Sequence, residues 1–315
     1  MRVTEHLERA DEPVITFEII PPRRGGDLDS LLQLIEDLSR HRPPFIDITS
    51  HSAEVIYEET PTGLQKRVKR KRPGTLGICA LIQNKFQIDA VPHVLCEGFT
   101  REESEDFLIE LHYLGIDNVL AIQGDSAGYT KPLEHGRTRN DHASELIAQI
   151  VDMNKGMFLE DLLDASPTDF CIGAAGYPEK HFEAPNLETD VGWVKHKVES
   201  GAEYIVSQMF FDNDHFFRFV DECRRQGITA PIIPGLKILR TKRQLTSIPK
   251  FFHCDIPPAL ADEVSAAETD RVGDVGVAWA IEQSQALLAA GVPSLHFYVM
   301  SSATAVNQVL DGLDF

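Results

Sequence analysis

Residues 170–211 hold two short apolar runs, Phe170–Tyr177 (FCIGAAGY) and Tyr204–Phe211 (YIVSQMFF), joined through an amphipathic stretch, Asp190–Ser200, that stops at Gly201. Two strand-length runs separated by a helix-period segment predict a βα unit with parallel pairing. The same alternation continues in both directions. Further strands are predicted at Val14–Ile20 (VITFEII), Phe45–Ser50 (FIDITS), Ala90–Cys96 (AVPHVLC), Asn118–Gly124 (NVLAIQG), Pro231–Leu239 (PIIPGLKIL) and Ser294–Met300 (SLHFYVM). Helices are predicted over Asp27–Arg40, from Thr100, and over His142–Met153, Asp214–Gln226, Thr241–Phe252, Asp270–Ala290 and Ser302–Leu313. Gly115, Gly201, Gly227 and Gly291 stand where helices should end, at the left-handed position that glycine fills without Cβ strain. Eight strands alternating with helices predict an α/β fold, one (β/α)8 TIM barrel spanning residues 1–315 as a single domain.

The composition narrows the partners. With 43% hydrophobic residues in 315, the chain can bury a large core. No apolar stretch is long enough to span a bilayer, and the start MRVTEHLERADEP lacks the basic and apolar regions of a signal peptide. A cytoplasmic location is expected, with no membrane partner. A formal charge of −19 repels phosphate backbones, so nucleic acid is excluded as a partner. After Lys250 the acids dominate, nine Asp or Glu against Arg271 alone. The five cysteines, Cys79, Cys96, Cys171, Cys223 and Cys254, form no CxxC pair and read as buried reduced thiols.

In such a barrel the reacting groups come from the C-terminal strand ends and the loops that follow. The first run carries Glu18 among apolar neighbours. Burial there raises a carboxyl pKa and suits a proton donor, although an inward Glu paired with a barrel Arg is the structural alternative. The second run ends in Thr49-Ser50-His51. His93 lies on the third, Gln123-Gly124-Asp125 closes the fourth, and the fifth leads into Tyr177-Pro178-Glu179-Lys180-His181. Gln208, flanked by Met209, Phe210 and Phe211, offers an amide suited to a flat heterocycle. The irregular stretch Ser126–Asp141 follows the fourth strand on the active side of a barrel, and Gly156–Thr168 is a second excursion. No nucleophile elbow, Walker loop or dinucleotide fingerprint is present. No metal site is expected, because nothing in the spacing of His51, His93 and Asp125 singles one out.

With these strand ends in view, the chain resembles the methylenetetrahydrofolate reductase family. The likeness runs through TFEIIPPR, AVPHVLC, NVLAIQGD, GYPEKHFEA, KHKVESGAEYIVSQMFFDND, ITAPIIPGL and GVPSLHFY, in order and at matching spacing. It implies reduction of 5,10-methylenetetrahydrofolate to 5-methyltetrahydrofolate, a resident FAD, and NADH or NADPH as donor in a ping-pong hydride transfer. The resemblance gives Glu18 the role of general acid at folate N10, and Asp125 contact with both pterin and flavin. For FAD it implies Thr49, His93, Gln123, Gly124, Asp125, Ala143, Tyr177, His181, Ala184, Asp190 and Lys197. For folate it implies Gln208 and Gln244. Relatives form homo-oligomers, which is expected here too. The end at Phe315 leads to the expectation of a barrel without the regulatory domain of eukaryotic relatives.

Several positions depart from the family pattern. Gln123 stands where many relatives have Arg, Ser50 where an aromatic is common, and Ser302 where an Arg near the folate is expected. Trp193 and His196 replace polar and basic residues. Lys237, an unusual charge in PIIPGLKIL, is expected to compensate for Ser302. A flavin barrel of other specificity, or a subunit fed or used by a partner protein, is the alternative reading.

Overall fold

The computed structural model describes residues 1–70, 72–124 and 131–313. Barrel strands β1 (Val14–Ile19), β2 (Phe45–Ile48), β5 (Asp89–Leu95), β6 (Asn118–Ile122), β7 (Cys171–Gly176), β8 (Tyr204–Ser207) and β11 (Ser294–Met300) pair in parallel with their neighbours. The run PIIPGL supplies two short strands, β9 (Ile232–Ile233) and β10 (Gly235–Leu236), one pairing with β8 and the other with β11. They are the two halves of the predicted seventh strand.

Pro234 explains the break, since it has no N–H to donate to a ladder. The gap is bridged by other bonds. The Pro234 carbonyl accepts from His296 N at 3.1 Å, Ser207 Oγ accepts from Gly235 N at 2.9 Å, and the Tyr298 hydroxyl donates to Ser207 O at 2.6 Å. The predicted run Tyr204–Phe211 is strand only as far as Ser207, so Gln208 lies just beyond the ladder.

Helices α2 (Leu28–Ser39), α4 (Arg101–Tyr113), α5 (Ala143–Met153), α6 (Leu187–Glu199), α7 (Asn213–Arg225), α8 (Gln244–Phe252), α10 (Val272–Ala289) and α11 (Thr304–Asp311) follow the strands as the periodicity predicts. Their starts are chemically marked. Asp27 accepts from the backbone of Asp29 and Ser30, and Thr100 and Glu103 form a reciprocal capping box. Gly115, Gly201, Gly227 and Gly291 all take positive φ at helix ends.

Four elements went unpredicted. Helix α1 (Val3–Arg9) closes the N-terminal end of the barrel: Val3 packs on Phe45, Val91, Leu120, Tyr204 and Ile233, while Asn118 holds Val3 N at 2.8 Å and Met1 O at 2.9 Å. Helix α3 (Thr75–Leu81) continues into a π-helical turn, Ile82–Phe86, and helix α9 (Pro258–Ala266) precedes α10. An antiparallel hairpin, β3 (Glu54–Thr60) with β4 (Gly63–Lys69), projects from the loop after β2 with β4 wholly exposed. Between the barrel and its helices lies the main apolar core, built around Phe17, Ile35, Ile46, Leu108, Ile172, Phe210 and Phe297. All five cysteines are free and buried.

Candidate active site

Strand alternation sends one set of residues into the barrel. Low in the interior these are apolar: Phe45, Val91, Leu120, Cys171, Tyr204 and Ile233. Higher up the same faces carry Thr16 and Glu18 on β1, Asp47 on β2, His93 on β5, and His296 and Tyr298 on β11. Register pairs Thr16 with His296, and Glu18 with both Asp47 and Tyr298. A polar storey therefore sits on an apolar floor.

Glu18 is where β1 and β11 lose register. The pairing shifts by one residue between Glu18 and Ile19, and Met300 takes φ +71°. Such a bulge twists the strand and re-aims the side chain beside it. The Glu18 side chain is 12% exposed, with Oε2 3.4 Å from His93 Nε2. Burial depresses His93 to about 3, so this imidazole is neutral at ordinary pH and meets Glu18 as a dipole rather than as a cation. His296, likewise held near 3 by burial, shares a 2.9 Å hydrogen bond with Thr16 through Nδ1. Asp47 is fully enclosed, and burial with the nearby Glu18 charge drives its carboxyl well above the usual range. Among the described residues the cation recorded near Glu18 is a lysine rather than the Arg considered for it. It is Lys237, which donates to Tyr298 O at 2.7 Å; burial lowers it to about 8 while Glu18 pulls it back up.

The other expected residues gather on neighbouring strand ends. Thr49 follows β2, and its Oγ1 is buried with no hydrogen-bond partner among the described residues. Gly124 has φ +92°, and a Cβ there would meet Glu97 Cβ at 3.3 Å. Gln123 is exposed and lines a hollow of about 210 Å³ with Glu97, Phe99, Lys131, Arg139 and Asp141. Ala143 opens α5, and Asp125 lies outside the described residues. Beyond β7 the rings of Tyr177 and His181 meet edge-on at 4.7 Å. Asp190, buried in the first turn of α6, accepts from His181 N at 2.9 Å, and burial raises its carboxyl despite that bond. Lys197, one face of α6 further along, donates to Ala175 O at 2.8 Å, and burial lowers its ammonium against the pull of Asp190. Ala184 is buried and receives the Lys180 ammonium on its carbonyl at 3.0 Å.

Both amides are held by their own backbones. Gln208 Oε1 accepts from Met209 N at 2.9 Å, and Gln244 Oε1 accepts from Arg240 N at 2.7 Å and Thr241 N at 2.9 Å. Their NH₂ groups are thereby left as the ends that can address a ligand. Glu179 was not singled out, yet burial with Asp255 and Asp212 nearby raises its carboxyl to about 7. Asp47, Thr16, His296 and Tyr298 were missed as well. Strand parity was the available signal, since Asp47 alternates with Ile46 and Ile48, and His296 with Leu295 and Phe297.

A second hollow, about 510 Å³, lies at the N-terminal end among His6, Arg9, Val14, His41, Arg42 and Leu310. It is an open groove at the wrong end of the strands for barrel chemistry. Among the described residues no group of His, Cys, Asp and Glu could hold a metal ion. None of their helices is long and apolar enough to cross a membrane.

The class this defines is a (β/α)8 barrel with ionisable groups gathered toward the C-terminal ends of its strands. Within that class the chain belongs to the methylenetetrahydrofolate reductase family, whose sequence profile, described as methylenetetrahydrofolate reductase, matches residues 2–314. It is 29% identical over 311 residues to methylenetetrahydrofolate reductase 1 of Schizosaccharomyces pombe, covering 98% of this chain and 47% of that one. To the 5,10-methylenetetrahydrofolate reductase of Buchnera aphidicola it is 29% identical over 307 residues, covering 96% and 92%. The chain thus spans about half the length of the fungal relative and nearly all of the bacterial one. An uncharacterized Clostridium thermocellum protein, whose structure is described as binding two copies of 5-methyl-5,6,7,8-tetrahydrofolic acid, has a TM-score of 0.60 at 13% identity, covering 98% and 97%. That likeness shows the fold.

Proposed function

We propose that this chain reduces 5,10-methylenetetrahydrofolate to 5-methyltetrahydrofolate, with NADH or NADPH as electron donor, FAD as resident carrier and Glu18 as general acid. Family membership and the placement of Glu18 support the reading, and the placement carries it. An inward acid at a strand bulge, beside a neutral imidazole and a lysine, can give up a proton without a large penalty to the carboxylate left behind.

The residues present fit a flavin nucleotide. A buried Thr49 hydroxyl with no hydrogen-bond partner among the described residues, the close backbone at Gly124, the Tyr177–His181 edge and the Lys197 ammonium together suit a flat ring joined to a diphosphate. Thr49, His93, Gly124, Tyr177, His181, Asp190 and Lys197 would hold it, with Gln123, Ala143 and Ala184 in backbone or packing contact. When bound, FAD supplies hydride storage between donor and folate. Asp190 fixes the His181 backbone, and Lys197 supplies positive charge that the chain's −19 otherwise denies an anionic ligand.

Gln208 and Gln244 orient the pterin through their NH₂ donors. Glu18 delivers its proton to folate N10, which opens the five-membered ring and leaves N5 ready for hydride. Lys237 then faces the Glu18 carboxylate and stabilises it until it is reprotonated. The Glu18→Gln variant tests this directly. Reduction of the bound flavin by NADH or NADPH should stay within about threefold of wild type, while reoxidation by methylenetetrahydrofolate should fall by about 10²–10⁴. Equal loss in both half-reactions would remove Glu18 from the acid role.

A further inference from the structure

The polar storey contains one carboxyl group that the proposed chemistry leaves unused. Asp47 is enclosed on all sides, both of its oxygens lack a hydrogen-bond partner among the described residues, and its strand neighbour in register is Glu18. Two carboxyl groups that face each other in a dry interior do not both ionise. The surroundings decide which keeps the proton. Glu18 opens toward the mouth and has Lys237 and His93 beside it. Among the described residues the ionisable groups that act on Asp47 are Glu18 on β1, Tyr298 on β11, Tyr204 on β8 and Cys79 on α3, with His93 and Lys237 beside Glu18 and His296 beside His93. Burial keeps the tyrosines and the thiol protonated and both histidines neutral, and Lys237, the nearby cation among the described residues, is engaged by Tyr298 O and Glu18. The proton therefore belongs to Asp47.

A buried O–H needs an acceptor, and an unsatisfied one is costly. The charged acceptor facing Asp47 is Glu18. We propose that Asp47 is a positioning residue for the acid Glu18: it stays an un-ionised carboxylic acid and donates its O–H, directly or across one bound water, to the Glu18 carboxylate formed when that residue gives up its proton. The bond is strongest to the charged form, so Asp47 makes Glu18 a stronger acid than burial alone would leave it. This rests on Glu18 being the acid of the proposed reaction.

The test begins on the unliganded protein, independent of turnover. An infrared difference spectrum between wild type and Asp47→Asn at pH 7 should lose the carbonyl stretch of a protonated acid; loss of a carboxylate band instead would overturn the proposal. The Glu18 titration midpoint, isolated by difference against Glu18→Gln, should rise by one unit or more in Asp47→Leu, which cannot donate. It should move by less than about half a unit in Asp47→Asn, which can. An Asp47→Leu midpoint equal to wild type would also overturn it, and Asp47→Ala carries the same comparison if the leucine variant does not fold. In turnover the pH profile of folate-dependent flavin reoxidation should shift alongside, with reduction by NADH unchanged within twofold. A wild-type protein with these titrations but no reoxidation by methylenetetrahydrofolate would sink the proposed function and leave the Asp47–Glu18 pair standing.

Discussion

At the scale of single residues, the interior is specified as much by absent side chains as by present ones. Gly173 lies under the Tyr204 ring, and a Cβ there would come within 2.3 Å of Tyr204 Cζ. Tyr204 is fully buried with its hydroxyl turned to Val119 O, so it has no room to yield. Gly173→Ala should cost about 1–3 kcal/mol by overpacking, read as a lower urea midpoint at unchanged slope; an unchanged midpoint would show that the floor of the barrel can repack. Some of this scale was legible in sequence and some was not. Glu18 stood out because an acid interrupts an apolar run, and Lys237 for the same reason. Asp47 and His296 sit in equally apolar runs, where parity separates them from their neighbours, but that they share one storey with Glu18 emerges only when the strands are aligned across the barrel. Gln244 was named as a ligand contact, and its carbonyl proves to be occupied in holding the turn before α8.

Among the elements, the barrel strands and the long helices were readable because each pairs an apolar face with a period. The hairpin was not. Its strands, EVIYEET and GLQKRVK, are too polar to signal burial, and its pairing rests on register rather than on a core. The short helices α1 and α9 carry too few turns to show a period. Since β4 is exposed along its whole length, the hairpin contributes little to global stability. Replacing residues 54–69 by a short glycine-containing turn should move Tm by less than about 4 °C. A larger fall would place the hairpin in the cooperative core. Arg72 and Arg70 tie the segment to the mouth, one on Pro21 O and the other over the Phe99 ring at 4.8 Å. Both arginines lie outside residues 54–69, so the excised protein is expected to fold with this anchor of the mouth kept.

For the whole molecule, the buried ionisable groups set how stability depends on pH. His93 and His296 are held near 3 in the folded state and titrate near 6.5 when unfolded, so each contributes stability that is present above 6.5 and lost as pH falls toward 3. Asp47 acts in the opposite sense. Its raised folded value makes its contribution complete below its unfolded value of 3.8 and lost as pH rises. Between about pH 4.5 and 6.5 the unfolded chain alone takes up protons on these two histidines, which lowers stability on acidification, while the raised carboxyls of Asp47 and Glu179 favour protons in the folded chain and oppose it. The histidine part of the slope is about 1.4 kcal/mol per pH unit for each ring, stability falling on acidification. Replacing both histidines with Gln should flatten or reverse that slope; a double variant with the wild-type slope would place the titration elsewhere.

The proposed activity is transfer of hydride to folate through a bound flavin. Anaerobic stopped-flow measurement on the FAD-loaded protein tests it most directly, with NADH or NADPH in the first mixing and methylenetetrahydrofolate in the second. Bleaching of the flavin by at least one of the two donors is expected, then return of its colour only when the folate is added. A protein that binds no FAD, or whose reduced flavin is left unchanged by the folate, would contradict it.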